Sequence, residues 1–129
     1  KYLCNEAGEG KKVLLYHVNP GVIVEYGARY FEKMERVFEI FAESTDKISI
    51  FWQVGANTPA ILEAKYPELF EGFGRMYARF CELDLGIYEE GDDYRKAVAA
   101  ADAYFGDRDA IMYQVRKLGK PVMIQNIEI

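Results

Sequence analysis

Apolar residues in this chain follow two patterns: short unbroken runs, and residues recurring every three or four positions. Val13-Leu14-Leu15-Tyr16-His17-Val18 is nearly continuous between Lys11-Lys12 and Asn19-Pro20-Gly21, and it reads as a strand buried on both faces of a parallel sheet. Asn19-Pro20-Gly21 reads as a turn by its chemistry. Beyond it Tyr30, Met34, Val37, Phe38 and Phe41 repeat at helical spacing with charges on the outer side, and Ser44-Thr45-Asp46 ends that helix. Ile48-Ser49-Ile50-Phe51-Trp52-Gln53-Val54 is a second strand, with Gly55-Ala56-Asn57 as its exit loop. Thr58-Pro59 has the form of an N-cap followed by proline at the first helical position, and the short helix carrying Ile61 and Leu62 stops before Pro67. A longer helix restarts there with Phe70, Phe73, Tyr77, Phe80 and Cys81 as its buried stripe; Gly72 and Gly74 each weaken it by about 1 kcal/mol unless close packing requires them.

Residues 85–88 are a short third strand, Glu89-Glu90-Gly91 a loop, and Asp92 or Asp93 the cap of a helix carrying Tyr94, Ala97, Val98 and Ala101. The stretch 99–126 then has the punctuation of strand, tight turn, helix and strand. Ala103-Tyr104-Phe105 ends at Gly106, and Asp107 offers a side-chain oxygen to the next helix, whose apolar face is Ala110, Ile111, Val115 and Leu118. Arg116 and Lys117 suit its carboxyl end, Gly119 closes it, and Pro121 opens the strand Val122-Met123-Ile124. Five strands alternating with helices predict a three-layer α/β Rossmann-like sandwich around a parallel sheet of order 3-2-1-4-5. Residues 1–11 read as a linker or the end of a preceding segment, and 12–129 as the Rossmann-like domain. In that order the sheet reverses between strands 1 and 4, so the turns at Asn19 and Gly106 form a crevice where open α/β sheets hold ligands.

Composition narrows the partners. A chain of 129 residues with 50% hydrophobic residues suits one domain with a real core, and a formal net charge of -5 argues against a nucleic-acid or anionic-membrane surface. No apolar run approaches the roughly 18 residues of a membrane span, no signal-peptide pattern opens the chain, and the abrupt start at Lys1 leaves room for an upstream segment. Cys4 and Cys81 are too few for a disulfide scaffold or zinc site and read as free thiols of a reducing cytoplasm. With one histidine in the chain, a multi-histidine metal site is excluded.

The candidate chemistry gathers at the strand ends. His17 could serve as general acid or base, or be a hydrogen-bonded residue of an apolar strand. Asp107 and Asp109 could form a carboxylate pair or a cation site, or simply cap a helix and balance its dipole. Arg108 could hold a phosphate or form a surface ion pair. Glu89 and Glu90 could reach a ribose hydroxyl or stay solvated, and the aromatics read as core. The ligand-binding set is thus His17, Asn19, Gly21, Gly55, Asn57, Thr58, Gly106, Asp107, Arg108 and Asp109, with no catalytic residue, cofactor or metal assigned. A response-regulator receiver would need an acidic phosphoacceptor where His17-Val18 stands and a Lys-Pro pair after strand 5, whereas Lys120-Pro121 precedes it; Gly-x-Gly-x-x-Gly and a P-loop are absent too.

The blocks Lys12-Val13-Leu14-Leu15-Tyr16, Ile50-Phe51-Trp52, Tyr66-Pro67-Glu68-Leu69, Gly86-Ile87-Tyr88, Ala101-Asp102-Ala103-Tyr104-Phe105-Gly106-Asp107 and Gly119-Lys120-Pro121-Val122-Met123-Ile124-Gln125-Asn126 resemble the carboxyl-terminal half of bacterial proteins related to CDP-glycerol glycerophosphotransferases, the teichoic-acid and capsule polymerases of GT-B architecture. The resemblance implies a domain that holds a nucleotide-activated donor, CDP-glycerol or a nucleotide sugar, against an amino-terminal domain of the same protein, in the cytoplasm or at the inner face of the membrane. Departures bear on the site. Where the family carries Arg-x-His-Pro after strand 2, this chain has Gln53-Val54-Gly55-Ala56-Asn57-Thr58-Pro59; where it carries Asp-x-Ser-Ser after strand 4, Asp107 remains but Asp109 and Ala110 replace the serines. A second carboxylate repels an anion at that helix start, which otherwise favours one. The expectation is a donor-binding-like domain of a glycosyl- or glycerophosphotransferase, one half of a larger protein and not catalytic in isolation; the alternative is a non-catalytic interaction or scaffolding domain with a degenerate nucleotide site.

Overall fold

The two uninterrupted apolar runs form the middle of the sheet. A computed structural model describes residues 10–91 and 93–127. In it β1 (Lys12–Val18) lies between β2 (Ile48–Val54) and β4 (Ala103–Gly106), with β3 (Gly86–Glu90) and β5 (Val122–Ile124) at the edges. Every pairing is parallel, so the order is the expected 3-2-1-4-5, with Val18 beside Val54 and His17 beside Gly106. The expectations for residues 1–9, Cys4 among them, and for Asp92 fall outside the described residues.

Alternate side chains of each strand enter two cores, because successive residues point to opposite faces. On one face Tyr16, Val18, Ile50, Trp52 and Val54 meet α1 (Pro20–Tyr26), α2 (Ala28–Ala42), α3 (Thr58–Lys65) and α4 (Pro67–Glu82). On the other, Leu15, Phe51 and Tyr104 meet α5 (Arg95–Ala100) and α6 (Ala110–Lys117). The α2 stripe Tyr30, Met34, Val37, Phe38 and Phe41 is buried as its spacing predicted, together with Phe31. Trp52 anchors the larger core, its ring 5.3 Å from Phe38 and 5.1 Å from Phe80 between centroids.

Several local expectations need correction. Asn19-Pro20-Gly21 is a helix start rather than a free turn: Asn19 is the N-cap of α1 and accepts from the Gly21 N–H at 2.8 Å, with Pro20 in the first helical position. The cap position of α3 is Asn57, so Thr58 is the first helical residue. Glu89 and Glu90 finish β3 instead of forming a loop, as an edge strand with a solvated side tolerates charge. Leu85 is buried just before that strand. In α5 the cap position is Tyr94, while Asp93 accepts from the Arg95 backbone at 3.1 Å. On α6, Met112 is buried and both Ala110 and Leu118 are exposed.

The buried stripe of α4 is Gly72, Phe73, Met76 and Phe80, whereas Tyr77 and Cys81 are exposed. Gly72 sets that rotation, because a Cβ there would lie 2.7 Å from the Phe31 ring of α2. Gly74 in the same helix has nothing within 4 Å of such a Cβ. Gly72→Ala is therefore expected to lower stability by about 1–2 kcal/mol, overpacking outweighing the gain in helix propensity. Gly74→Ala is expected to raise it by about 0.5–1 kcal/mol. Urea midpoints of the two variants check this, and a shift of both in the same direction would contradict the close α2–α4 contact.

Candidate functional site

Adjacent strands β1 and β4 send their chains to opposite faces of the sheet, so their carboxyl ends border a crevice. The structure brings His17, Asn19, Gly106, Asp107 and Asp109 together there. Asp107 is not the cap of α6, contrary to expectation; Asp109 is, its Oδ1 accepting from the Ile111 N–H at 3.5 Å. Asp107 is instead 3% exposed and turned inward. Its Oδ2 accepts from the Asn19 backbone N–H at 2.8 Å and the Tyr30 hydroxyl at 2.6 Å, and its Oδ1 from the Gln125 amide at 3.2 Å. The Tyr104 hydroxyl donates to its backbone carbonyl, and the Tyr16 hydroxyl donates to Gln125 Oε1 at 3.0 Å. Burial pushes the Asp107 carboxyl above the ordinary carboxylate range, opposed in order by the bonds from Tyr30, Asn19 and Gln125 and by the His17 charge. With its acceptors occupied, this carboxylate locks β1, α2 and the end of β5 to the β4–α6 loop.

His17 is 2% exposed and held on both sides. Its Nδ1 lies 2.6 Å from Gln53 Oε1. Gln53 Nε2 donates to the carbonyls of Val54 at 3.0 Å and Gly91 at 2.5 Å, which orients the amide so that Nδ1 is the donor. The other ring nitrogen, Nε2, sits 3.2 Å from Asp109 Oδ2 without the alignment of a hydrogen bond. The same Oδ2 accepts from Asn19 Nδ2 at 2.9 Å. The Tyr94 ring meets the imidazole edge to face at 5.8 Å.

The other expected site residues stand around this centre. Gly55, Asn57 and Thr58 follow β2, whose end lies beside the end of β1, and the Thr58 N–H donates to the Gly55 carbonyl at 3.0 Å. Thr58 Oγ1 is buried without a hydrogen-bond partner among the described residues. Gly21 serves the α1 cap, and Arg108 is exposed on the β4–α6 loop. Tyr16, Tyr30, Gln53, Tyr104 and Gln125 were not anticipated. Gln53 carried a usable signal, a buried amide in an otherwise apolar strand that requires a partner, and β1 places His17 beside it.

Among the described residues no group of three or more His, Cys, Asp or Glu side chains could hold a metal ion, and no helix is long and apolar enough to cross a membrane. An apolar groove of about 380 Å³ is lined by residues such as Val37, Phe41, Phe105 and Met123.

No family model and no curated protein matches the sequence. Among solved structures the fold is similar to the S. aureus MnaA–UDP co-structure, with a TM-score of 0.63 and 16% identity over 90% of this chain and 28% of that one. This chain thus spans 28% of the length of that neighbour, and at such identity the likeness is one of Rossmann-like fold. A universal stress protein family member from Burkholderia pseudomallei aligns over 88% of this chain and 95% of its own, at 11% identity and a TM-score of 0.43.

Proposed function

We infer that this chain is the nucleotide-facing, Rossmann-like part of a transferase-type protein of GT-B architecture, of the glycosyl- or CDP-glycerol glycerophosphotransferase kind that serves cell-surface polymer synthesis, and that it is not catalytic alone. The observation that carries this reading is the crevice between β1 and β4, at the reversal of strand order where doubly wound sheets receive nucleotides. The fold neighbour is a UDP complex, which supports a nucleotide-activated donor as the ligand class. A further domain of the same protein would close on this rim and present the acceptor.

The same geometry argues for a weak phosphate grip. Asp109 already holds the Asn19 amide and faces His17, and Asp107 adds a buried negative neighbour. Losing two or three charge-assisted hydrogen bonds of about 1.5–3 kcal/mol each turns a micromolar donor into a roughly millimolar one. That observation also favours a second reading, an interaction or scaffolding domain whose nucleotide site is closed. Titration of the labelled chain with CDP, CDP-glycerol, UDP-sugars and free nucleosides separates the two. The first reading expects saturable millimolar shifts at Asn19, Gly21, Gly55 and Asn57, with nucleosides binding nearly as well as their diphosphates and Arg108→Ala weakening only the latter. Silence of those resonances at millimolar ligand removes it and leaves the scaffold.

A further inference from the structure

We propose that the Asp109 carboxylate is an internal anion, seated where a phosphoryl group would bind, and that vacating it converts the crevice into a phosphate-binding site. The proposal rests on the reading of the crevice as a ligand site and goes beyond it by naming what closes that site.

The groups that converge on Asp109 are those a tetrahedral oxyanion needs. Asn19 Nδ2 donates to Oδ2 at 2.9 Å, and α6, eight residues long, turns its positive dipole end to the same side chain, with the Ile111 N–H donating to Oδ1 at 3.5 Å. His17 is an independent pointer. Its Nε2 is buried, has no hydrogen-bond partner among the described residues, and lies on the crevice side of the ring 3.2 Å from Oδ2. Because Gln53 commits Nδ1 as a donor, Nε2 faces a carboxylate favourably only as the N–H of an imidazolium. An imidazole edge and an amide donor at Oδ2, with a helix start at Oδ1, form around one carboxylate an anion site that the chain fills itself. Asp107 remains nearby, bridged to Asp109 by Asn19, whose backbone N–H donates to Asp107 and whose side-chain amide donates to Asp109, and it limits how tightly a dianion can bind once the seat is empty.

Serine at position 109 keeps an N-cap oxygen while removing the charge and shortening the side chain, and glycine is the next best cap should serine disturb the fold. Inorganic pyrophosphate is titrated into the wild type, Asp109→Ser, Asp109→Gly and the double variant Asp109→Ser with His17→Gln, each checked by thermal melting, while the imidazole nitrogen signals of His17 are followed. The expected result is at least tenfold tighter pyrophosphate binding in the single variants than in the wild type, a saturable shift at His17, and loss of most of the gain in the double variant. Folded single variants that bind no tighter than the wild type overturn the proposal, as does a gain that survives the loss of His17. Nucleoside binding to the wild type without a pyrophosphate gain in the variants removes the internal anion and leaves the donor reading standing; a pyrophosphate gain without any nucleoside or nucleotide binding does the reverse.

Discussion

Gly106→Ala is expected to destabilise the protein by about 4 kcal/mol and to dismantle the crevice with it. Gly106 ends β4 with φ at 156° in register with His17, and a Cβ there would lie 2.3 Å from the His17 carbonyl oxygen and 2.9 Å from its nitrogen. Both atoms are backbone of the central strand, so no side chain can swing aside. Relief requires β4 to move off β1, which threatens the Asp107 N–H bond to the His17 carbonyl at 3.1 Å and the Gln125 N–H bond to the Gly106 carbonyl at 2.6 Å. Overpacking of about 1–3 kcal/mol, backbone strain of about 1–3 kcal/mol and weakened hydrogen bonds near 1 kcal/mol each add to a large share of a typical 5–15 kcal/mol stability. Urea unfolding with His17 and Asp109 resonances as reporters measures both effects. A midpoint within about 1 kcal/mol of the wild type, with those resonances unmoved, would mean that the approach of β4 to β1 is looser than described.

The architecture was legible because its central strands leave little choice. A run such as residues 48–54, apolar on both faces and closed by turn residues, fits the interior of a parallel sheet, and β2 has those same bounds. The place of the crevice followed from strand order, but the roles of its residues did not. Asp107 and Asp109 are equally plausible caps when read locally, and the choice is made by Asn19, Tyr30 and Gln125, which lie 88, 77 and 18 residues from Asp107. Once those donors draw Asp107 inward, the cap falls to Asp109. The α4 stripe was displaced for a similar reason: Tyr77 and Cys81 fit an apolar period, but the contact of Gly72 with Phe31 turns Met76 toward the sheet. Tertiary partners overrode local propensity at both places, and hydrophobic spacing carries no record of them.

Asp107→Ala is expected to cost about 3–4 kcal/mol and Asp107→Asn about 1–2 kcal/mol, a contrast that identifies what the buried carboxylate contributes. Alanine leaves the Asn19 N–H, the Tyr30 hydroxyl and the Gln125 amide without an acceptor in the interior, at about 1–3 kcal/mol for each donor that finds no substitute. Asparagine keeps an acceptor for Asn19 and Tyr30, and its own N–H₂ is accommodated if the Gln125 amide turns over, at the cost of the acceptor that the Tyr16 hydroxyl had in Gln125. Asparagine also removes the burial penalty of a charge. That penalty has a pH signature. Burial raises the folded-state value of Asp107 above the ordinary carboxylate range, so between the unfolded and folded values the native state holds the proton more firmly. The stability of the wild type relative to Asp107→Asn is therefore greatest below the ordinary range, falls as pH rises through the raised value, and is flat beyond it. Urea midpoints of both proteins from about pH 3.5 to 7 trace this difference. A difference that instead rises with pH would mean that the three donors outweigh burial, and that the network holds a carboxylate the folded protein prefers ionised.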